Sequence, residues 1–115
     1  MAEYITRAEE NGMIHIAEDV IAAIVADAVK DVEGVGAASQ NVGEQLTGKK
    51  AVRSVRVEQV DDAVAVDVFL MARYGFAIPE VAQKVQEAVS NAVGGMTGIA
   101  VKEVNVHVGG ISFND

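Results

Sequence analysis

Apolar residues recur along this chain at two spacings, and the switches between them mark its elements. From Glu18 to Val32 they fall at Val20, Ile21, Ile24, Val25, Ala28, Val29 and Val32, the stripe of one helix face. Glu18 and Asp19 sit in its first turn, where the helix dipole favours anions, and Gly34 supplies a stop. Ala17 stands where a side-chain cap would be expected. A second stripe, Val81, Ala82, Val85, Ala88, Val89, Ala92 and Val93, predicts a helix from Pro79 to Val93. Proline suits a first helical turn because its missing N–H would be unpaired there, and Gly94-Gly95 is the expected stop. Between and around the helices the period drops to two. Val55 and Val57 alternate with Ser54, Arg56 and Glu58 in a strand over 52–60. In Val64–Arg73, Val64, Val66, Val68 and Leu70 share one face and Ala65, Asp67, Phe69 and Met71 the other. Asp61-Asp62 joins these two strands as a tight hairpin. Short strands are predicted at Met13–Ile16 and Val35–Gln40, and a last one at Ile99–Val108. The alternation of that last strand slips between Val101 and Val104, which predicts a bulge near Lys102–Glu103. Residues 1–12 are polar and read as a flexible tail, 41–51 as a loop, and 13–115 as a single domain.

The resulting order is (β)αβββαβ. Each helix has one apolar face, so both can lie on one face of a mixed sheet, which makes a two-layer α+β sandwich. The opposite sheet face then carries Ala65, Phe69 and Met71 without helices to cover them, and this predicts a homo-oligomer or a docked protein partner.

Composition narrows the function. Half of the 115 residues are apolar, but only five are Phe or Tyr and none is Trp, so aliphatic side chains must build the core. The absence of cysteine excludes disulfides, thiolate metal sites and cysteine nucleophiles. A net charge of −8 repels phosphate backbones and anionic lipid surfaces, so neither nucleic acid nor direct membrane insertion is expected. The longest apolar run, "VIAAIVA" at 20–26, is far too short to span a bilayer, and "MAEYITRAEENG" lacks the character of a signal peptide. A cytoplasmic protein is the expectation.

Candidate chemistry is sparse. "GEQLTGKK" at 43–50 approaches a phosphate-binding loop but has Lys50 where Ser or Thr must meet Mg²⁺, and a strand follows it instead of a helix. "GGMTG" at 94–98 closes a helix, whose dipole repels anions there. His15 and His107 are the only histidines, and catalytic zinc takes three protein ligands, so a site would need a carboxylate such as Asp19 or Glu103 brought in by folding. No nucleophile–base order stands out. The chain reads as a non-enzyme with no cofactor. A small-ligand or metal-binding regulatory domain is the second alternative.

The junction "ARYGFAIPEVAQKVQ" at 72–86 joins a strand to a helix through Tyr74-Gly75 and the only proline. Tyr74 continues the Val64–Leu70 face and is expected in the core, with Gly75 supplying an unusual backbone angle. The outer side of the second helix carries Gln83, Gln86, Glu87 and Ser90, a face able to hydrogen-bond. "GMIHIAEDVIAAIVADAVKDVEGV" (12–35), "VAVDVFLMARYGFAIPEVAQKVQEAV" (64–89) and "MTGIAVKEVNVHVGGISF" (96–113) together cover more than half the chain. In this order they resemble the alkaline shock protein / general stress protein family of Gram-positive and related bacteria. The resemblance implies a small cytoplasmic protein of the cell-envelope or alkaline stress response, held at the inner face of the membrane by a membrane-embedded partner, and it implies no catalytic residues. The candidate partner contacts are Phe69 and Met71 on the open sheet face, Gln83 and Gln86 on the helix, and Asn105 at the strand edge.

Overall fold

The computed structural model describes residues 4–36 and 52–113. One strand, β5 (Ala63–Arg73), organises it. Val64, Val66, Val68, Leu70 and Ala72 on one pleat are fully buried, while Asp67, Phe69 and Met71 on the other are half-buried. Such a strand needs neighbours on both edges. β4 (Val52–Val60) pairs antiparallel with one edge and β6 (Ala100–Ser112) parallel with the other. A two-residue strand, β3 (Val35–Gly36), pairs antiparallel with Ala72 and Met71. The sheet is therefore mixed and four-stranded. Helices α1 (Glu18–Lys30) and α2 (Ile78–Thr97) pack on it, α1 against β4 and α2 against β6, and against each other. Ile21, Val25 and Val29 from α1 and Val81, Val85, Val89 and Val93 from α2 are buried at four-residue steps. They meet the inner pleat of β5, Val57 of β4 and Val104 of β6 in one core. Each fully buried Val or Leu contributes about 1.5–3 kcal/mol over an exposed one, so this layer holds the two-layer α+β sandwich together.

Four details depart from expectation. Residues 4–9 are not a tail but a strand, β1 (Tyr4–Glu9), which forms an antiparallel hairpin with β2 (Gly12–Ala17). Only one residue of β1, Ile5, enters the core, at 3% exposure, so no apolar period announces it. Polar contacts complete its attachment. The Gln59 side-chain amide donates to the Thr6 carbonyl at 3.0 Å and accepts from the Thr6 N–H at 3.3 Å, standing in for a neighbouring strand. The Arg7 guanidinium, itself paired with Glu9, donates to the Gly98 carbonyl at 2.6 Å beyond the end of α2.

The helix ends also shift. α1 stops at Lys30, and Val32 holds its place against the core through a single tighter turn, its N–H bonded to the Val29 carbonyl at 3.0 Å. α2 runs through Gly94-Gly95 to Thr97. Glycine costs a helix about 1 kcal/mol but does not forbid it. The stop lies at Gly98, left-handed at φ 75°, whose N–H bonds to the Gly94 carbonyl. Thr97 seals this end, its hydroxyl donating to the Val93 carbonyl and accepting from the Ile99 N–H. The expected bulge is present, since β6 skips Lys102 in its pairing with β5, and a second shift follows at Gly109-Gly110. The loop expected at 41–51, with the stretch Gly43–Lys50, and the strand end 37–40 lie outside the described residues.

Candidate functional site

Two surfaces gather the residues with chemical or docking potential. The first is the sheet face opposite the helices. Strand register sets its side chains in rows: Ser54, Phe69 and His107 in one, Arg56, Asp67 and Asn105 in the next. The His107 ring stacks on Phe69, centroids 4.3 Å apart and planes within 10°. Its Nε2 lies 3.2 Å from Asp67 Oδ1. The His107 hydrogen bond, aided by the Asn105 amide and the charges of His107 and Arg56, holds the Asp67 carboxyl below the usual carboxylate range, while desolvation works against it. Asn105 Nδ2 donates to Glu103 Oε2 at 3.1 Å. The face is thus partly covered by its own members, with Phe69 under the imidazole and the Met71 sulfur beside Gly110. Phe69 stands between Ser54 and His107 in their row. Two strand spacings, about 9.5 Å, therefore separate that hydroxyl's strand from the imidazole's. His15 sits on the other sheet, its Nδ1 3.2 Å from the Thr6 hydroxyl. Among the described residues no three His, Asp or Glu side chains converge as metal ligands.

The second surface was not anticipated. β5 and β6 run parallel with Arg73 opposite Ser112, so the residues that follow, Tyr74 and Phe113, emerge side by side. Their rings lie 5.1 Å apart. The Tyr74 N–H bonds to the Ser112 carbonyl at 2.8 Å, and Gly75, at φ 100°, turns the chain toward α2. Tyr74 is 70% exposed and Phe113 71%, so the expected core placement of Tyr74 is corrected. Ala72 is the last buried residue on that pleat, and β5 ends at Arg73. With Phe76, Arg73 and Ser112 they line a cleft of about 400 Å³. Three of the chain's five Phe and Tyr residues thus meet at one open corner. The sequence signal was the scarcity of aromatic residues together with their positions, each just past the end of a strand.

The expected contact residues therefore divide. Phe69, Met71 and Asn105 share the open sheet face. Gln83 lies apart on α2 with Glu80, Lys84 and Glu87 around a shallow polar cleft. Gln86 is engaged within the chain, donating to the Val104 carbonyl at 3.1 Å and tying α2 to β6. Among the described residues no helix is long and apolar enough to cross a membrane.

Comparison with known proteins bears on this geometry. A sequence model of the alkaline shock protein 23 family, described by a cell envelope-related function, matches residues 6–113. The uncharacterized protein YqhY of Bacillus subtilis is 33% identical over 107 residues, covering 90% of this chain and 79% of its own. YloU of the same organism, also described as uncharacterized, is 36% identical over 106 residues, covering 87% of this chain and 88% of its own. A Streptococcus pyogenes homolog of the stress response regulator gls24 is 32% identical over 102 residues, 84% of this chain but 57% of that longer protein. Among solved structures, a MamM CTD variant in a zinc form superposes with a TM-score of 0.52 at 16% identity, covering 84% of this chain and 89% of that one. This likeness concerns the fold alone.

Proposed function

The chain belongs to the alkaline shock protein 23 family, whose function is cell envelope-related, and on that premise we propose that it is a non-enzymatic interaction module of the envelope stress response. In this proposal it works at the cytoplasmic face of the membrane and is held there by a membrane-embedded protein. The observation that supports this most is the corner of Tyr74, Phe76 and Phe113. Tyr74 and Phe113 are among the most exposed apolar side chains of the described residues, and grouped exposed aromatic rings are the usual anchors of protein interfaces. A net charge of −8 opposes adsorption to an anionic bilayer, and among the described residues no helix is long and apolar enough to cross one, which supports a reading in which the partner supplies the anchor. The corner would receive an apolar segment of that partner.

The test is retention on native-cell membranes. Wild-type protein is expected to sediment with them and to ignore protein-free anionic liposomes. The double variant Tyr74→Ser/Phe113→Ser should stay folded, because exposed side chains change stability by only about 0.5 kcal/mol, and should lose retention. Undiminished retention of that variant would overturn the corner as the contact. Tight binding of wild type to the liposomes would overturn the anchoring partner. The zinc form of the MamM CTD raises a metal-binding alternative, but His15 and His107 lie on different sheets, each engaged by its own neighbour, and nothing in the geometry favours it.

A further inference from the structure

β6 has β5 on one edge and no strand on the other among the described residues. From Val104 to Val108 its register with β5 is unbroken, so backbone groups alternate strictly, one set toward β5 and the next away. The bond from Gln86 to the Val104 carbonyl marks Val104, Val106 and Val108 as the outward set. The Val104 oxygen keeps a second lone pair beside that bond. Five residues of straight edge are thus offered to an incoming strand, with Val106 and Val108 only half-buried there.

The order of charges along this edge says which strand fits. Glu103, Asn105 and His107 alternate on the open face. We propose that β6 pairs antiparallel with β6 of a second copy of this chain, about a two-fold axis through Asn105. Glu103 then faces the partner subunit's His107, Asn105 faces its own copy, and His107 faces the partner subunit's Glu103. On the backbone, Val104 faces the partner subunit's Val106. Both belong to the outward set, so they exchange hydrogen bonds, which leaves the Glu103 and His107 pairs in the non-hydrogen-bonded positions where side chains approach most closely, Cα atoms about 4.5 Å apart. With His107 protonated the two facing pairs carry opposite charges, and opposite charges placed this way favour a register while like charges oppose it. His107 meets Asp67 through Nε2, so when the ring is protonated it is the Nδ1–H that donates to the carboxylate across the axis. Moving the axis to Val106 would set Asn105 against His107 and Glu103 against Gly109 and lose both charge pairs. The contact is isologous and closes at two copies. It requires no second kind of protein, so it stands apart from the membrane anchor.

The chain has no cysteine, which makes Asn105→Cys a clean probe of the axis. Facing Cβ atoms in such a pair lie about 4.5–5.5 Å apart, close to disulfide reach. Purified Asn105→Cys protein should form a covalent dimer under mild oxidant, whereas Lys102→Cys should not. By sedimentation velocity the wild type is expected to dimerise. Glu103→Lys should weaken the dimer at least tenfold, and Glu103→Lys/His107→Glu should restore it by reversing the pair. A wild type that stays monomeric while Asn105→Cys fails to crosslink would overturn the proposal. So would a dimer indifferent to Glu103→Lys, which would place the contact on another face. Both arms use purified protein, so neither depends on whether membranes retain the chain.

Discussion

Gly34 and Gly75 have nearly the same backbone angle, φ 97° and 100°, and opposite surroundings. A Cβ built on Gly34 would lie 2.5 Å from the Val81 Cγ2 and 3.1 Å from the Phe76 ring, while one built on Gly75 meets nothing within 4 Å. Substituting each by alanine separates two costs that usually arrive together. The backbone term is common to both: about 1–3 kcal/mol for holding an L-residue at this angle. It is offset by about 0.4–1 kcal/mol because alanine restricts the unfolded chain. Gly75→Ala should therefore cost about 1–2 kcal/mol. Gly34→Ala adds overpacking. Val81 is buried, sits on α2 and is stiff at χ1, so it cannot swing aside, and methyl insertions of this kind cost about 1–3 kcal/mol more. The assay is urea unfolding followed by circular dichroism, with the slope of the transition compared so that a change in the unfolded state is visible. A Gly34→Ala cost within about 0.5 kcal/mol of the Gly75→Ala cost, at equal slope, would refute the argued close approach of the α1–β3 turn to α2.

Two further predictions concern parts of the fold that were unexpected. Ile5→Ala should destabilise the whole domain by about 2 kcal/mol or more in the same assay, as for a buried aliphatic side chain; a cost under about 0.5 kcal/mol would mean that residues 4–9 behave as a tail. Because its contacts hold Asp67 below the usual carboxylate range, the unfolded chain takes up this proton first as pH falls. The stabilisation is present above the unfolded value near pH 4 and is lost on acidification through the lower folded one. The stability gap between wild type and Asp67→Asn should accordingly close as pH falls below about 4. A gap that stays open at the acid end of that range would refute the Asp67–His107 contact.

The helices, the three long strands and the bulge at Lys102 were legible because each is written as a period in valine, isoleucine and alanine, and burial follows that period residue by residue. The α2 end at Gly98 was misplaced because Gly94-Gly95 carries a local breaker signal, while packing at Val93 and the bonds of Thr97 act across the same turn. The candidate contacts were only partly legible. Phe69, Met71 and Asn105 share a face by strand parity alone, but the bond of Gln86 to Val104 depends on where α2 lies over β6, which no local pattern encodes.

Sequence alone determined what period, charge and residue type can determine: an α+β sandwich of two helices on a mixed sheet, an aliphatic core, no thiol chemistry, and a net charge of −8. Tertiary structure decided what depends on register between distant segments. The parallel pairing of β5 with β6 sets Arg73 beside Ser112, and only for that reason do Tyr74 and Phe113, thirty-nine positions apart, share one corner. The same pairing lays His107 over Phe69 and against Asp67. It also leaves the other edge of β6 without a neighbouring strand among the described residues. Periodicity fixes which face a side chain takes, since that needs only its neighbours in sequence; which residues then meet is set by strand register, a property of the pair of strands and of the packing that holds them.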